Sequence, residues 1–451
     1  MAERTLIGDL AGKAGETVTI QGWVDVRRDQ GKLVFFDFRD RSGTVQGVVL
    51  PGDDALKERA KEIRNEFVVS VDGIVNKRPE KNVQEGKLNG DIELEIKGIE
   101  ILSAAEPLPF DVDTELNLDT LLDNRPLTVR RDRERAIFRV QHEIIAAFRS
   151  FLNEKGFTEF QAPKLVGDDA EGGAGIFKVE YFKDKDAYLA TSPQLYKQIM
   201  VGAFERVYAT GTQFRAEKHS TTRHLNELSM LDFEMGFVKD HQDVMDMTAD
   251  LLRFITAHLN VRSAKDFEAL GATIPLAPAA FPVMKLREAQ ELIKRETGAD
   301  KTNEPDLEPE DERWLCEYAA KELGSDFIFV THYPVSKRPF YTMEDAEDPG
   351  FTKSFDLLFR GVEILSGSQR VHDYAMLIEK IRSKGLDPEK FSFYLQAFKY
   401  GLPPHGGIGM GLERLTQKYL DIDNVKEATL FPRDMNRIDT LLSKNETDIQ
   451  Q

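Results

Sequence analysis

Arg215, Glu217, Lys218, His219, Arg223 and His224 crowd a polar loop between two apolar segments, 205–214 and 228–237, that alternate as strands do. Cations on such an antiparallel hairpin suit a polyphosphate, because a guanidinium presents a planar fork to phosphate oxygens that a Lys cannot. A solvated hairpin tip with unrelated charges fits the same residues locally. Farther along, an alternating stretch at 355–370 carries Glu363 and Ser366, with Arg370 beyond them. A carboxylate and a hydroxyl are hard oxygen ligands suited to Mg²⁺ that keeps waters and bridges phosphates. An Arg beside them can grip a second carboxylate bidentately. A strand end with solvated polar residues accounts for these three equally well. A third stretch, residues 400–415, is rich in glycine and leads through Gly411 to Arg414 at a helix start. Its spacing departs from Gly-x-Gly-x-x-Gly, and no βαβ unit with a ribose-binding acid follows, so a dinucleotide fold is not indicated. Glycines there let a planar ring lie close to the backbone.

These groups need a scaffold, and the chain supplies elements for one. Residues 1–103 read as an all-β domain of five alternating strands with a helix-like stretch at 54–63 after the third, the order of an OB-fold barrel. Of its aromatics Trp23, Phe35, Phe36 and Phe38, most are expected in the core, since alternate residues must fill a small barrel. A linker with two close prolines, 104–132, follows. Ile137, Val140, Ile144, Ala147, Phe148 and Phe151 then recur at helical spacing, up to Lys155-Gly156, where a glycine cap is natural. Residues 168–177 are too glycine-rich for helix or strand and read as a loop. Residues 238–330 mix helical runs with proline- and acid-rich stretches and show no chemistry, which suggests an insertion supporting the core.

Composition narrows the class. At 451 residues the chain calls for two or three domains. A hydrophobic fraction of 41% beside 31% charged residues is that of a globular protein. There is no apolar run long enough for a membrane span, and Met-Ala-Glu-Arg-Thr-Leu shows no apolar secretory segment. The single cysteine, Cys316, excludes an intramolecular disulfide and a multi-cysteine metal site. A cytoplasmic protein is expected. The net charge of −18 speaks against nucleic acid, but residues 1–103 hold 16 Lys+Arg against 19 Asp+Glu, and Arg27, Arg28, Lys32, Arg39 and Arg41 cluster there.

Three stretches together resemble the class II aminoacyl-tRNA synthetases. Gln213-Phe-Arg-Ala-Glu217 with Thr222-Arg-His-Leu-Asn-Glu227 looks like motif 2, Lys155-Gly-Phe-Thr-Glu-Phe-Gln-Ala-Pro-Lys-Leu165 like motif 1, and Gly407-Ile-Gly-Met-Gly-Leu-Glu-Arg414 like motif 3. The run from Gly22 to Gly43 is similar to the aspartyl enzymes of the aspartate, asparagine and lysine branch (subclass b). Ser366-Gly-Ser-Gln-Arg-Val-His-Asp373 looks like their archaeal and eukaryotic type.

The resemblance implies an α+β protein: an OB barrel at 1–103, the linker, and a catalytic domain at 133–451 built on an antiparallel sheet flanked by helices. It implies an aspartate–tRNA ligase that activates L-aspartate with ATP and transfers it to tRNA(Asp), with tRNA(Asn) open as a second acceptor. By the same likeness Arg215, Glu217, Arg223, His224, Leu225, Glu363, Gly411 and Arg414 serve ATP, and Glu363 and Ser366 hold Mg²⁺. Glu171, Gln194, Lys197, Arg215, Ser366 and Arg370 serve aspartate, with His332 and Tyr341 near its pocket. Arg28, Phe35, Gln46 and Glu93 serve the anticodon, with Asp25 beside it. Motif 1, with Pro163 near the two-fold axis, implies a homodimer. Two rivals remain. An asparaginyl enzyme should lack cations for a side-chain carboxylate, which Lys197 and Arg370 supply; a catalytically dead tRNA-binding paralogue tends to lose motif arginines, and here they stand.

Overall fold

The computed structural model describes residues 3–110, 114–167, 175–218 and 221–438. The chain divides into two units, Met1–Thr114 and Glu115–Gln451.

The first unit is a closed barrel of β1 (Thr17–Asp29), β2 (Val34–Asp40), β3 (Gly43–Val49), β4 (Val68–Lys77) and β5 (Ile92–Ser103), ordered β1-β2-β3-β5-β4. Alternation puts Val18, Ile20 and Val24 of β1 inside, facing Val69, Val71, Ile92, Leu94 and Ile96. Phe36 and Phe38 stack in this core with centroids 5.5 Å apart. Trp23 and Phe35 have the opposite parity and stay partly exposed, so two of the four aromatics fill the barrel rather than most of them. Gly47 is required by packing: a Cβ there would lie 2.6 Å from the Phe38 ring. The helix Asp54–Glu62 follows β3, its start capped by Asp53, which accepts from the Leu56 N–H.

The second unit is built on an eight-stranded sheet. Its strands, in chain order, are β6 (Thr158–Glu159), β10 (Arg206–Phe214), β11 (Glu227–Gly236), β12 (Val283–Lys285), β13 (Phe327–Thr331), β14 (Ser354–Phe359), β15 (Val362–Gln369) and β16 (His405–Gly411). The remaining strands, β7 (Leu165–Val166), β8 (Lys178–Glu180) and β9 (Asp186–Leu189), form a small separate sheet. The large sheet runs β12-β13-β14-β15-β16-β11-β10-β6. Its six central strands are antiparallel, with a parallel pair added at each edge. Leu231, Phe233, Leu357, Leu365, Ile408 and Met410 alternate onto one face of it. The helices Asp132–Glu154 and His241–Arg262 contribute to the core on that face. The first carries the apolar stripe that the spacing predicts, and Gly156, with a φ of 78°, follows its C-cap Lys155.

Two boundaries differ from expectation. The linker gives way to structure early: the helices Leu118–Asp123 and Arg125–Thr128 belong to the second unit. There the buried Arg125 donates to the carbonyls of Glu427, Thr429 and Leu430 at 2.8–3.0 Å, a bond set that sequence spacing does not show. The stretch 238–330 is part of the core itself, supplying one of the two helices on the sheet and the strands β12 and β13.

Candidate active site

Strand register explains how the second face of the large sheet becomes polar. In β11, Asp232 and Glu234 alternate with Leu231 and Phe233 and so point away from the core. Gly409 and Gly407 of β16 stand opposite them, and Ser366 and Ser368 of β15 opposite those glycines. Asp356 of β14 completes the row against Ser366. A side chain at Gly407 would collide with the Glu234 carboxylate, so the glycines of this stretch make room for acids and for whatever lies on them.

The acids are matched by cations from outside the row. Lys197, on the helix Gln194–Phe204, donates to Asp232 at 2.9 Å and to the Ile408 carbonyl at 2.7 Å, and lies 3.6 Å from Glu234. Arg370 forks onto Glu234 at 2.9 and 3.3 Å, donates to the Gly407 carbonyl at 2.9 Å and to Ser368, and lies over the Tyr341 ring. Burial alone would push the Glu234 carboxyl up; Arg370 and Lys197 outweigh it and hold Glu234 below the usual carboxylate range. Gln194 joins Gln198, which in turn meets Tyr394 and His405. Burial drives His405 down to about 4, so it is neutral near pH 7.

The hairpin arginines approach the same space. Arg215 follows β10, and its N–H extends the ladder to the Asn226 carbonyl at 2.9 Å. The Asn226 amide donates back to the carbonyls of Arg215 and Glu217, at 2.6 and 3.1 Å, which fixes the base of the loop. Among the described residues the buried Arg215 Nε has no hydrogen-bond partner. Arg223 donates to Glu312 and to the Gly361 carbonyl, both at 3.0 Å. His224 faces Glu217 at 3.4 Å, and Arg414 donates to the Glu363 carbonyl at 2.7 Å.

Gln194, Ser366 and Arg370, expected at an amino acid, and Arg215, Glu217, Arg223, His224, Leu225, Glu363, Gly411 and Arg414, expected at a nucleotide, all line one cavity of about 330 Å³. Tyr341 lines it as well. Lys197 does not; it lies buried among the acids described above. His332 is absent from the lining too and is bonded instead to Thr331 and Asp345. Glu171 lies outside the described residues.

Ser366 donates to Glu363 at 2.7 Å, so two hard oxygens sit together at the cavity. Burial, reinforced by the Glu363 charge, raises Glu312 to about 7 and Asp356 to about 6, although Arg338 donates to Asp356 at 2.7 Å. Carboxyl groups thus crowd this spot beside Arg223, Arg338 and Arg414. Among the described residues no group of three or more His, Cys, Asp or Glu forms a ready cage. A cation that takes one or two protein oxygens and fills its shell with water and phosphate fits such a set.

Asp232, Glu234, Asp356 and Glu312 went unassigned in the sequence. The first three carried a signal, an acid alternating with large apolar residues in a strand; Glu312 sits in a stretch without a motif.

On the barrel, register gathers the other candidates. Arg28 stands opposite Phe35, and Asp37, two residues on, opposite Gln46. The parallel β3–β5 pairing, Gly47 with Leu94, sets Glu93 beside Gln46. All four therefore share the outer face. Arg28 forks onto Asp37 at 2.8 and 3.1 Å, and Asp25 accepts from Arg39 at 3.1 Å.

Known proteins share both units. The family described as tRNA synthetases class II (D, K and N) matches residues 117–435, and that of the OB-fold nucleic acid binding domain matches 18–102. An antiparallel sheet with arginines converging on one cavity, in a chain that also carries an OB barrel, is the arrangement of a class II tRNA synthetase. The aspartate--tRNA(Asp/Asn) ligase of Thermus thermophilus is 45% identical, covering 96% of this chain and 99% of its own length. The aspartate--tRNA(Asp) ligase of Thermoplasma acidophilum is 41% identical over 94% of this chain and 96% of its own. A solved asparaginyl-tRNA synthetase from Pyrococcus horikoshii, complexed with asparaginyl-adenylate, superposes with a TM-score of 0.88 at 32% identity, covering 97% of this chain and 100% of that one. The chain belongs to the aspartate–tRNA ligase family of the class II synthetases. Among the described residues no helix is long and apolar enough to cross a membrane.

Proposed function

We propose that the protein joins L-aspartate to ATP as aspartyl-adenylate and passes the aspartyl group to the 3′ end of tRNA(Asp). The observation that carries this reading is the convergence of Arg215, Arg223 and Arg414 on the cavity that Arg370 also lines. The substrate α-carboxylate attacks the α-phosphorus in line, and pyrophosphate leaves. The protein positions and stabilises charge rather than forming a covalent bond. Arg215, whose buried Nε has no partner among the described residues, steadies the α-phosphate and the attacking carboxylate. Arg223 and Arg414 hold the outer phosphates, and Glu217 and His224 lie along the nucleotide. Gln194 and Arg370 orient the amino acid, with Lys197 and Glu171 assigned beside them. Glu363 and Ser366 would hold Mg²⁺, which when bound offsets phosphate charge. Phe35 stacks on an anticodon base, while Arg28, Gln46 and Glu93 contact base edges or backbone.

A homodimer through motif 1 agrees with an exposed Pro163. The run Ser366–Asp373 supports the archaeal and eukaryotic type, and the cytoplasm is the compartment where tRNA charging takes place.

One observation favours asparagine instead. Both cations meant for a side-chain carboxylate are already paired, Lys197 with Asp232 and Arg370 with Glu234, and a neutral amide asks for no further charge. Charging purified tRNA(Asp) and tRNA(Asn) transcripts with each labelled amino acid decides between them. Aspartate on tRNA(Asp) is expected, and aspartate on both tRNAs would make tRNA(Asn) a second acceptor. Asparagine charging overturns the assignment, and no charging at all favours a dead paralogue.

A further inference from the structure

Glu312 lies on the helix Pro309–Glu322, 89 positions from the arginine that it touches. Leu315, Cys316 and Ala319 on that helix are buried in an apolar cluster with Leu286, Ile293 and Val330. These positions follow Glu312 at i+3, i+4 and i+7, so Glu312 occupies the N-terminal end of the buried stripe, where the spacing calls for an apolar residue. A carboxylate in such a place needs a partner. Arg223 is that partner, with Nη1 donating to Glu312 Oε2 at 3.0 Å and Nη2 donating to the Gly361 carbonyl at 3.0 Å. Their side chains are 24% and 13% exposed, respectively.

A guanidinium carries five N–H donors in a rigid plane. These contacts engage one on each terminal nitrogen, which fixes the plane and, among the described residues, leaves the other donors for a ligand. Arg223 lines the cavity and Glu312 does not. The hydrogen bond to Arg223 is therefore the direct contact through which Glu312 reaches the cavity lining.

We propose that Glu312 is a positioning residue for the nucleotide: with the Gly361 carbonyl it clamps the Arg223 guanidinium in the orientation that meets the outer phosphates of ATP. This rests on the ligase reading above. The clamp matters because a long side chain that arrives already ordered loses less freedom when it binds. Loss of Glu312 should weaken ATP binding and leave aspartate binding alone.

The test is aspartate-dependent ATP–pyrophosphate exchange by the full chain, varying ATP and aspartate separately. Glu312→Ala should raise the KM for ATP about tenfold, with kcat and the aspartate KM within about twofold of wild type. Glu312→Gln, whose amide oxygen still accepts from Arg223, should recover most of that loss. In an Arg223→Ala background, Glu312→Ala should change nothing further, since a double-mutant cycle isolates an effect that passes through the pair. An unchanged or lowered KM for ATP overturns the proposal. So does a loss that spreads over all constants, or one that persists without Arg223. Absence of exchange by the wild type instead removes the ligase reading, and the role of Glu312 with it.

Discussion

Arg28, Phe35, Gln46 and Glu93 come together on the barrel through strand register, whereas Lys197, Arg370 and Arg223 are held by carboxylates from distant parts of the chain. On the barrel the core and the candidate face are separate, because alternation sends one set of residues inward and the other out. In the catalytic unit they are not. Asp232 and Glu234 belong to a central strand, so the groups that would serve the substrates also neutralise the interior. A face made by register can lose a residue and keep its fold. A cavity made of mutually balanced charges loses stability when a fully buried partner is removed.

The sharpest way to break this contrast is Arg370→Ala. It leaves Glu234 fully buried beside only Lys197, and removing one member of a buried ion pair costs about 3–5 kcal/mol. Denaturant unfolding should show that loss, and aspartate activation should disappear with it. Lys197→Ala should cost about 3 kcal/mol by the same physics, because Asp232 keeps its burial and loses the 2.9 Å donor; urea titration of the full chain measures it. The barrel should behave otherwise. Phe35→Ala should weaken tRNA(Asp) binding by about 1–3 kcal/mol, one stacked base, with pyrophosphate exchange and unfolding midpoint unchanged. A midpoint drop as large as that of Arg370→Ala would end the distinction. The smallest effect belongs to Arg28→Ala. Its pair with Asp37 is solvent-exposed, so stability should change by less than about 1 kcal/mol, read from thermal unfolding.

Much of this was legible in advance. The five barrel strands and the helix after the third stand where alternation predicts them, and the stripe from Ile137 to Phe151 is buried on its helix. Most residues named for the nucleotide and the amino acid line one cavity. What failed did so for identifiable reasons. Trp23 and Phe35 were weighed with Phe36 and Phe38 as aromatics, but strand parity, not residue type, decides which side they take. His332 was placed near the amino acid by likeness, yet its ring is taken up by Asp345 and Thr331. Residues 238–330 looked like an insertion because their helices carry no motif, although one of them covers the sheet.

The sequence by itself determined the barrel strands and the helix Asp132–Glu154, since alternation, helical spacing and capping residues act over a few positions. It also showed which residue types are available for phosphate, metal and carboxylate. The tertiary structure alone decided how their charges are balanced. Lys197 meets Asp232 across 35 positions and the Ile408 carbonyl across 211, Arg370 meets Glu234 across 136, and Arg223 meets Glu312 across 89. Coulombic pairing depends on distance through space, which no periodicity along a chain encodes.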